Sequence, residues 1–267
     1  GEQFIRYIQG LLTLDFGNSF TYKQSVSAII ADHLPYTLSL VGISTILSLI
    51  LGIVFGLWSG WFHHLRGDYR FMLLMMAIGA LPEFLIGMIL LLIFSVYLGW
   101  FPMSGASTPF IEAESWWNIA VDALQHATLP SLALTLISVS STYLLVRKET
   151  VQVMTSPFIE FASMKGIPRN RLLYRHVLKN ALLPIFTLIM IRIGTLFTGS
   201  IFIETLFSYP GIGKLLKEAV LARDYPLMHG LFFVFSAIVL FLNACADFLY
   251  PKLDPRVKGG TMVERDP

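Results

Sequence analysis

The sequence predicts an all-α, polytopic membrane helical bundle, and three observations carry that reading. The 267 residues are 55% hydrophobic and only 13% charged, where a soluble domain carries about 25% charge. Mean hydropathy is +0.68. Five stretches supply the roughly 20 mostly apolar residues that a transmembrane helix needs. Alternation of the strand type is absent, which excludes a β-barrel on pattern. A net charge of +2 argues against a nucleic-acid binder, and a single cysteine, Cys245, excludes an intrachain disulfide framework or a Cys-cluster metal site.

The five predicted spans run over 34–62, 71–98, 129–146, 182–207 and 227–250. Orientation follows from Lys and Arg, which favour the cytoplasmic side. The 63–70 loop, the 147–180 segment and the tail together hold 13 of them, whereas the three opposite segments hold five and the 99–128 loop none. Residues 1–33 are therefore read as an extracytoplasmic segment, 34–250 as the membrane domain including a cytoplasmic loop over 148–182, and 251–267 as a cytoplasmic tail. An external start without a signal peptide leads to the expectation of a further, upstream span, giving six spans with both ends inside.

The most informative stretch is Thr155 to Pro184. Ser156 suits an N-cap, Pro157 the first helical position, and Gly166 the left-handed residue after the last turn. These predict a nine-residue helix from Pro157 to Lys165. A second helix starts at Pro168, carries Arg171, Arg175 and Lys179 on one face, and runs through Pro184 into the fourth span. A helix of nine residues is marginal alone in water. Phe158, Ile159, Phe161 and Met164 offer apolar contact to something it docks against. From pattern alone, a docking element and an amphipathic linker resting on lipid headgroups remain equal readings.

Within the spans, ionisable groups are costly and usually face a bundle interior or cavity. Arg192 lies about ten residues into its span, roughly 14 Å deep. Glu83 follows Pro82 near the middle of the second span, where the proline is expected to kink the helix. Glu204 sits near the outer end of the span that holds Arg192. Arg192 and Glu83 either line a translocation path and meet the charged ends of a zwitterionic cargo, or pair and lock the bundle. The run Ser138 to Thr142 either lets helices approach closely or walls a polar cavity.

Gly211-x-Gly213-Lys214 lacks the glycine spacing and the Ser/Thr of a phosphate loop, and reads as a tight turn before an amphipathic external helix, Lys214 to Leu221. The adjacent His63 and His64 do not share a helix face and make a poor metal site. His33 and His126 read as interface residues, and Cys245 as a small packed or lipid-facing residue. No catalytic set, cofactor site or metal site is expected in this chain.

Glu160-Phe161-Ala162-x-x-x-Gly166 resembles the Glu-Ala-Ala-x-x-x-Gly loop of the membrane subunits of binding-protein-dependent ABC importers. KGIPRNRLLYRHVLKNALLP (165–184), LGWFPMSG (98–105), HATLPSLALTL (126–136), ETLFSYPGIGKLLKEAVLARDYP (204–226) and LDPR (253–256) resemble, in the same order, the B-type permease of the dipeptide, oligopeptide and nickel branch. Phe161 departs from the pattern, standing where the family usually has its first Ala. The resemblance implies a type I ABC importer permease fold in a prokaryotic cell membrane. It also implies a second permease subunit, two cytoplasmic ATPase domains that bind ATP and Mg, and an external solute-binding protein. Pro157, Glu160, Phe161, Ala162, Lys165 and Gly166 would then form the ATPase-coupling element. The implied cargo is a di- or oligopeptide, with nickel or a metal chelate as the alternative. A secondary transporter is the remote alternative, and no internal repeat of the kind common there is visible.

Overall fold

The computed structural model describes residues 10, 13, 15–109, 115–168, 172 and 200–253. Among them the chain is helical, with a lone β-bridge between Asn18 and Ser25. The elements are α1 (Val26–Trp61), α2 (Arg66–Ala80), α3 (Glu83–Leu90) continued by a π-helical segment (Leu91–Tyr97), α4 (Trp116–Met154), α5 (Pro157–Met164), α6 (Ile212–Ala222) and α7 (Tyr225–Leu253). Residues 200–206 are also helical. Most of the predicted fourth span, with Arg192 and the basic face Arg171, Arg175 and Lys179, lies outside the described residues, as does the tail beyond 253.

The first, third and fifth predicted spans are found as long apolar helices with different ends, and the second as a bent pair of helices. α1 starts at Val26 rather than Leu34, inside the segment read as external. The Ser25 hydroxyl accepts the Ala28 N–H at 3.3 Å, an N-cap, and Val26, Ile29 and Ile30 are buried. α4 is 39 residues long, about 58 Å at 1.5 Å per residue, so the predicted 129–146 span is only its middle. At Pro82 the expected kink is a full interruption. α2 stops at Ala80, and α3 restarts with Pro82 as its N-cap at φ −59°, ψ 142°. Proline lacks an N–H and disfavours helix at the residue before it, which is why the chain breaks between these two positions.

Two compact units are formed by alternating portions of the chain. The first comprises Gly1–Thr45, Leu81–Thr135 and Thr195–Val239; the second Ile46–Ala80, Leu136–Gly194 and Leu240–Pro267. In the first, Val26, Ile29 and Ile30 of α1 pack on Ile212, Leu215 and Ala219 of α6 and on Leu227 and Leu231 of α7. A neighbouring cluster joins Leu40, Leu129, Ala133 and Leu134 to Ile203 and Phe207. The π-helical segment ends where the Ser95 hydroxyl donates to Phe101 O at 2.9 Å and Gly99 adopts φ +64° to turn the chain.

In the second unit, α1 and α4 touch backbone to backbone. A Cβ placed on Gly52 would lie 2.7 Å from Thr142, on Gly56 2.5 Å from Val146, and on Gly60 2.6 Å from Thr150. Both partners in this seam repeat every four residues, the small-xxx-small pattern by which membrane helices approach closely. Next to it lies a buried polar cluster. Arg147 Nη2 meets Asp68 Oδ2 at 2.5 Å. The Ser59 hydroxyl donates to Asp68 Oδ1, receives the Arg147 Nε–H at 3.2 Å, and sits 2.6 Å from the Tyr143 hydroxyl. Phe71 closes over the Tyr143 ring edge-on at 5.3 Å. Asp68 is 2% exposed, so its charge is tolerable only because Arg147 and Ser59 compensate it. The Ser140 hydroxyl donates to Met75 O, so this member of the Ser-rich run binds α2 to α4.

Asp68→Asn strands the Arg147 charge and is expected to destabilise the protein by about 3 kcal/mol, read as a fall in the thermal midpoint in detergent. Combining it with Arg147→Met removes both charges and is expected to recover most of that loss.

Candidate functional site: the loop helix and the Glu204 turn

α5 is short because its ends are chemically set. Pro157 is its first residue, and Gly166 stands at φ +73°. The Ile167 N–H reaches back to Ala162 O at 3.4 Å, the long bond of a Schellman termination. The helix ends at Met164 rather than Lys165. The predicted N-cap is corrected: the Ser156 hydroxyl donates to Val153 O and so finishes α4 instead of capping α5.

The two faces of α5 differ. Ile159, 4% exposed, packs on Trp61 and Leu172, with Ala162, Phe62, Val153 and Met154 around it. On the other side Phe161 is 67% and Met164 72% exposed. Glu160, Pro157 and Lys165 are exposed as well, and Glu160 has no ion-pair partner among the described residues. The apolar set read from the sequence is thus divided. Ile159 docks on the end of α1, whereas Phe161 and Met164, three residues apart and so on one face, point away from the chain. The Phe158 side chain lies outside the described residues.

Of the two ionisable residues read as path candidates, Glu83 stands in the first turn of α3, half-buried, with no ion-pair partner among the described residues. Arg192 lies outside the described residues.

The turn after residues 200–206 has a chemistry that the sequence reading missed. The Glu204 side chain is fully buried. Its Oε1 accepts the Thr37 hydroxyl at 2.7 Å and its Oε2 the Lys214 N–H at 2.9 Å. Thr37 Oγ1 in turn accepts the Ile212 N–H at 2.8 Å. A Cβ on Gly211 would collide with the Glu204 carboxylate and Thr37 Oγ1, and one on Gly213 would come within 2.8 Å of Glu204 Oε2. The two glycines therefore exist to let a carboxylate lie against the start of α6, where free N–H groups and the helix dipole favour an anion. The signal was present: an acid seven and nine residues before a Gly-x-Gly that opens a helix.

A second carboxylate, Asp224, does the same between α6 and α7. It accepts the Ser19 hydroxyl at 2.5 Å, the Thr21 N–H at 2.9 Å and the Leu227 N–H at 3.3 Å. This fastens the 15–25 segment to the α6–α7 turn, with Tyr22 Oη donating to Glu218 at 2.9 Å. Burial pushes the Tyr22 phenol up to about 12, and the hydrogen bond to Glu218 adds to it. For Asp224, burial acts to raise the carboxyl, but the Ser19 hydroxyl and the backbone N–H groups of Thr21, Phe20 and Leu227 outweigh it and hold it below the usual carboxylate range. His126 and Asp122 form a similar local pair, with Asp122 accepting both the Thr108 N–H at 2.8 Å and the Thr108 hydroxyl at 2.5 Å.

Long apolar helices and an interrupted second span mark a multi-pass membrane protein, and the comparisons say of which family. Residues 52–259 match the family model of the binding-protein-dependent transport system inner membrane component. The oligopeptide transport system permease protein AppB of Bacillus subtilis strain 168 is 34% identical over 257 residues, 96% of this chain and 80% of that protein. OppB of Escherichia coli K12 is also 34% identical over 257 residues, with the same coverage. The dipeptide permease DppB of Alkalihalophilus pseudofirmus is 30% identical over 269 residues, 96% of this chain and 81% of that one. Among solved structures, a chain of the MetNI methionine ABC transporter in inward-facing conformations superposes with a TM-score of 0.67 at 12% identity, covering 85% of this chain and 96% of that one. The chain belongs to the family of binding-protein-dependent transport system inner membrane components, and its fold is that of an ABC importer permease.

Because the Asp224 carboxyl is held low, the contacts it makes stabilise the protein at neutral pH. That contribution is lost as pH falls below about 4, the unfolded carboxylate value, and through the lower folded value. Asp224→Asn is expected to cost about 2 kcal/mol at pH 7 and to flatten the acid-side fall in thermal midpoint between pH 6 and pH 3. Cleavage of the 15–25 segment by added protease is expected to rise in parallel.

Proposed function

We propose that this chain is one of two membrane-spanning subunits of an ATP-driven importer for di- or oligopeptides, with its C-terminus in the cytoplasm of a prokaryotic cell. The observation that carries the reading is the divided surface of α5. One face is tied to the chain's own α1 and α4, and the other presents Phe161, Met164 and Glu160 outward. Large apolar groups held out on a short, well-terminated helix suit a groove in a separate cytoplasmic ATPase. Burial of each contributes about 1.5–3 kcal/mol. ATP and Mg belong to that partner; this chain has no phosphate loop and supplies no chemistry of its own.

In this mechanism ATP-driven closure of the ATPase pair moves α5. Its connections to α4 and to the end of α1 carry the displacement into the spans. The pathway alternates because ATP favours one arrangement over the other, not because cargo is bound tightly. An external binding protein delivers the peptide, and a second homologous permease completes the path. The peptide-transport names of the relatives support the cargo class. Glu83 and Arg192 are the groups proposed to meet the peptide's charged ends.

Phe161→Ala combined with Met164→Ala is expected to lower peptide uptake at least about ten-fold, the loss of roughly 1.4 kcal/mol of contact. ATPase subunits should co-purify less, while the chain stays in the membrane. Unchanged uptake and co-purification would count against the role of α5. For the path, Glu83→Gln and Arg192→Met are expected to lose uptake with assembly and peptide-stimulated ATP hydrolysis intact. Loss of the complex instead would make them structural locks.

A further inference from the structure

We infer that the outward face of α2 is a binding site for anionic phospholipid, with Arg66 and Arg70 holding the phosphate. This rests on the membrane placement of the chain alone, not on its cargo or its ATPase. Arg66 and Arg70 are one turn apart, both exposed, and neither has an acidic partner among the described residues. The acid between them, Asp68, turns the opposite way and is spent on Arg147. The corner therefore keeps two uncompensated positive charges and no free negative one. The start of a helix carries partial positive charge, which adds to the arginines rather than offsetting them.

The rest of that face is graded as a lipid molecule is. Tyr69 is 58% exposed beside the arginines, and Leu73, Leu74 and Met76 follow at 45%, 53% and 49%. One stripe thus passes from guanidinium through phenol to hydrocarbon within about ten residues, some 15 Å at 1.5 Å per residue. Trp58 of α1, 53% exposed, stands beside it, its ring 5.8 Å from Phe62 and 6.2 Å from Phe71. Tryptophan and tyrosine at the level of the headgroups with basic residues alongside is the arrangement that membrane boundaries select. A soluble protein partner would leave the continuation into Leu73, Leu74 and Met76 unexplained. A phospholipid places its phosphate and its acyl chains on the same stripe.

The test compares the full-length chain in nanodiscs of phosphatidylcholine alone and of phosphatidylcholine with one quarter phosphatidylglycerol. Retained lipid is counted by native mass spectrometry, and the thermal midpoint is followed alongside. Phosphatidylglycerol is expected to be retained selectively and to raise the midpoint. With Arg66→Gln and Arg70→Gln together, its affinity is expected to fall roughly twenty- to thirty-fold, the loss of two basic groups at an anionic surface. Arg66→Lys with Arg70→Lys keeps the charge and is expected to restore most of the retention, and an unchanged midpoint of the glutamine variant in phosphatidylcholine alone shows that it is folded. Equal retention in the glutamine variant overturns the site. A midpoint gain reproduced in phosphatidylcholine by inorganic phosphate alone also overturns it, because the occupant would then be a free anion and not a lipid.

Discussion

The close approach of α1 and α4 is the constraint on which the second unit depends. Lipid chains are as apolar as leucine, so no hydrophobic force draws two membrane helices together, and the distance at which they touch decides what else can form. Gly52, Gly56 and Gly60 set that distance against Thr142, Val146 and Thr150. Only at this separation does Ser59 of α1 reach Tyr143 of α4 at 2.6 Å, and only then can Asp68 and Arg147 close over both. The end of α1 then offers Trp61 and Phe62 as the floor on which α5 rests. One glycine seam thus governs the packing of two spans, the neutralisation of a buried acid and the seating of the loop helix.

The first unit solves a different problem, that of anchoring turns at the end of apolar helices without leaving backbone groups unpaired. Glu204 and Asp224 each accept N–H groups at the start of a helix, α6 in one case and α7 in the other. The physics is that of a phosphate loop, in which glycines let an anion approach the free N–H groups of a helix start. Here the acceptor is a resident side chain. The same Gly-x-Gly-Lys that fails as a nucleotide motif succeeds as the receptor for a side chain ten residues upstream, and it thereby fixes the direction in which α6 departs from residues 200–206.

Three of the spans, the short helix ending at the left-handed Gly166, and a disturbance of the second span at Pro82 were legible because each rests on a local rule: apolar length, helix termination, the missing N–H of proline. The helix ends were less so. α4 continues to Trp116 through Asp122 and His126, polar residues that lower hydropathy yet are satisfied by Thr108 and by each other. The glycine seam is not legible: Gly52, Gly56 and Gly60 keep a four-residue spacing, as do the β-branched Thr142, Val146 and Thr150, but nothing in a single sequence says that the two strips face each other. Long-range pairs such as Ser19 with Asp224 leave no periodic trace in a single sequence. Ser156 shows the opposite failure: a good N-cap residue by type, its hydroxyl turns back to Val153 O, which also accepts the Ser156 N–H at 3.1 Å, and so it reinforces the end of α4.

The departure at position 161 takes on a physical meaning from the geometry of α5. An eight-residue helix is not stable by itself in water, so its order comes from Ile159 and Ala162 packing on the chain and from the Schellman bond at Gly166. Ala162 lies in that packed face, where added volume would lift the helix off Trp61 and Leu172. Position 161 lies on the far side, 67% exposed, and a phenylalanine there costs the chain's own packing nothing. What it changes is the surface shown outward, adding an aromatic ring where the resembling loops carry a methyl. The two neighbouring positions of one short motif are therefore under different constraints, one from the fold that bears the helix and one from whatever receives it.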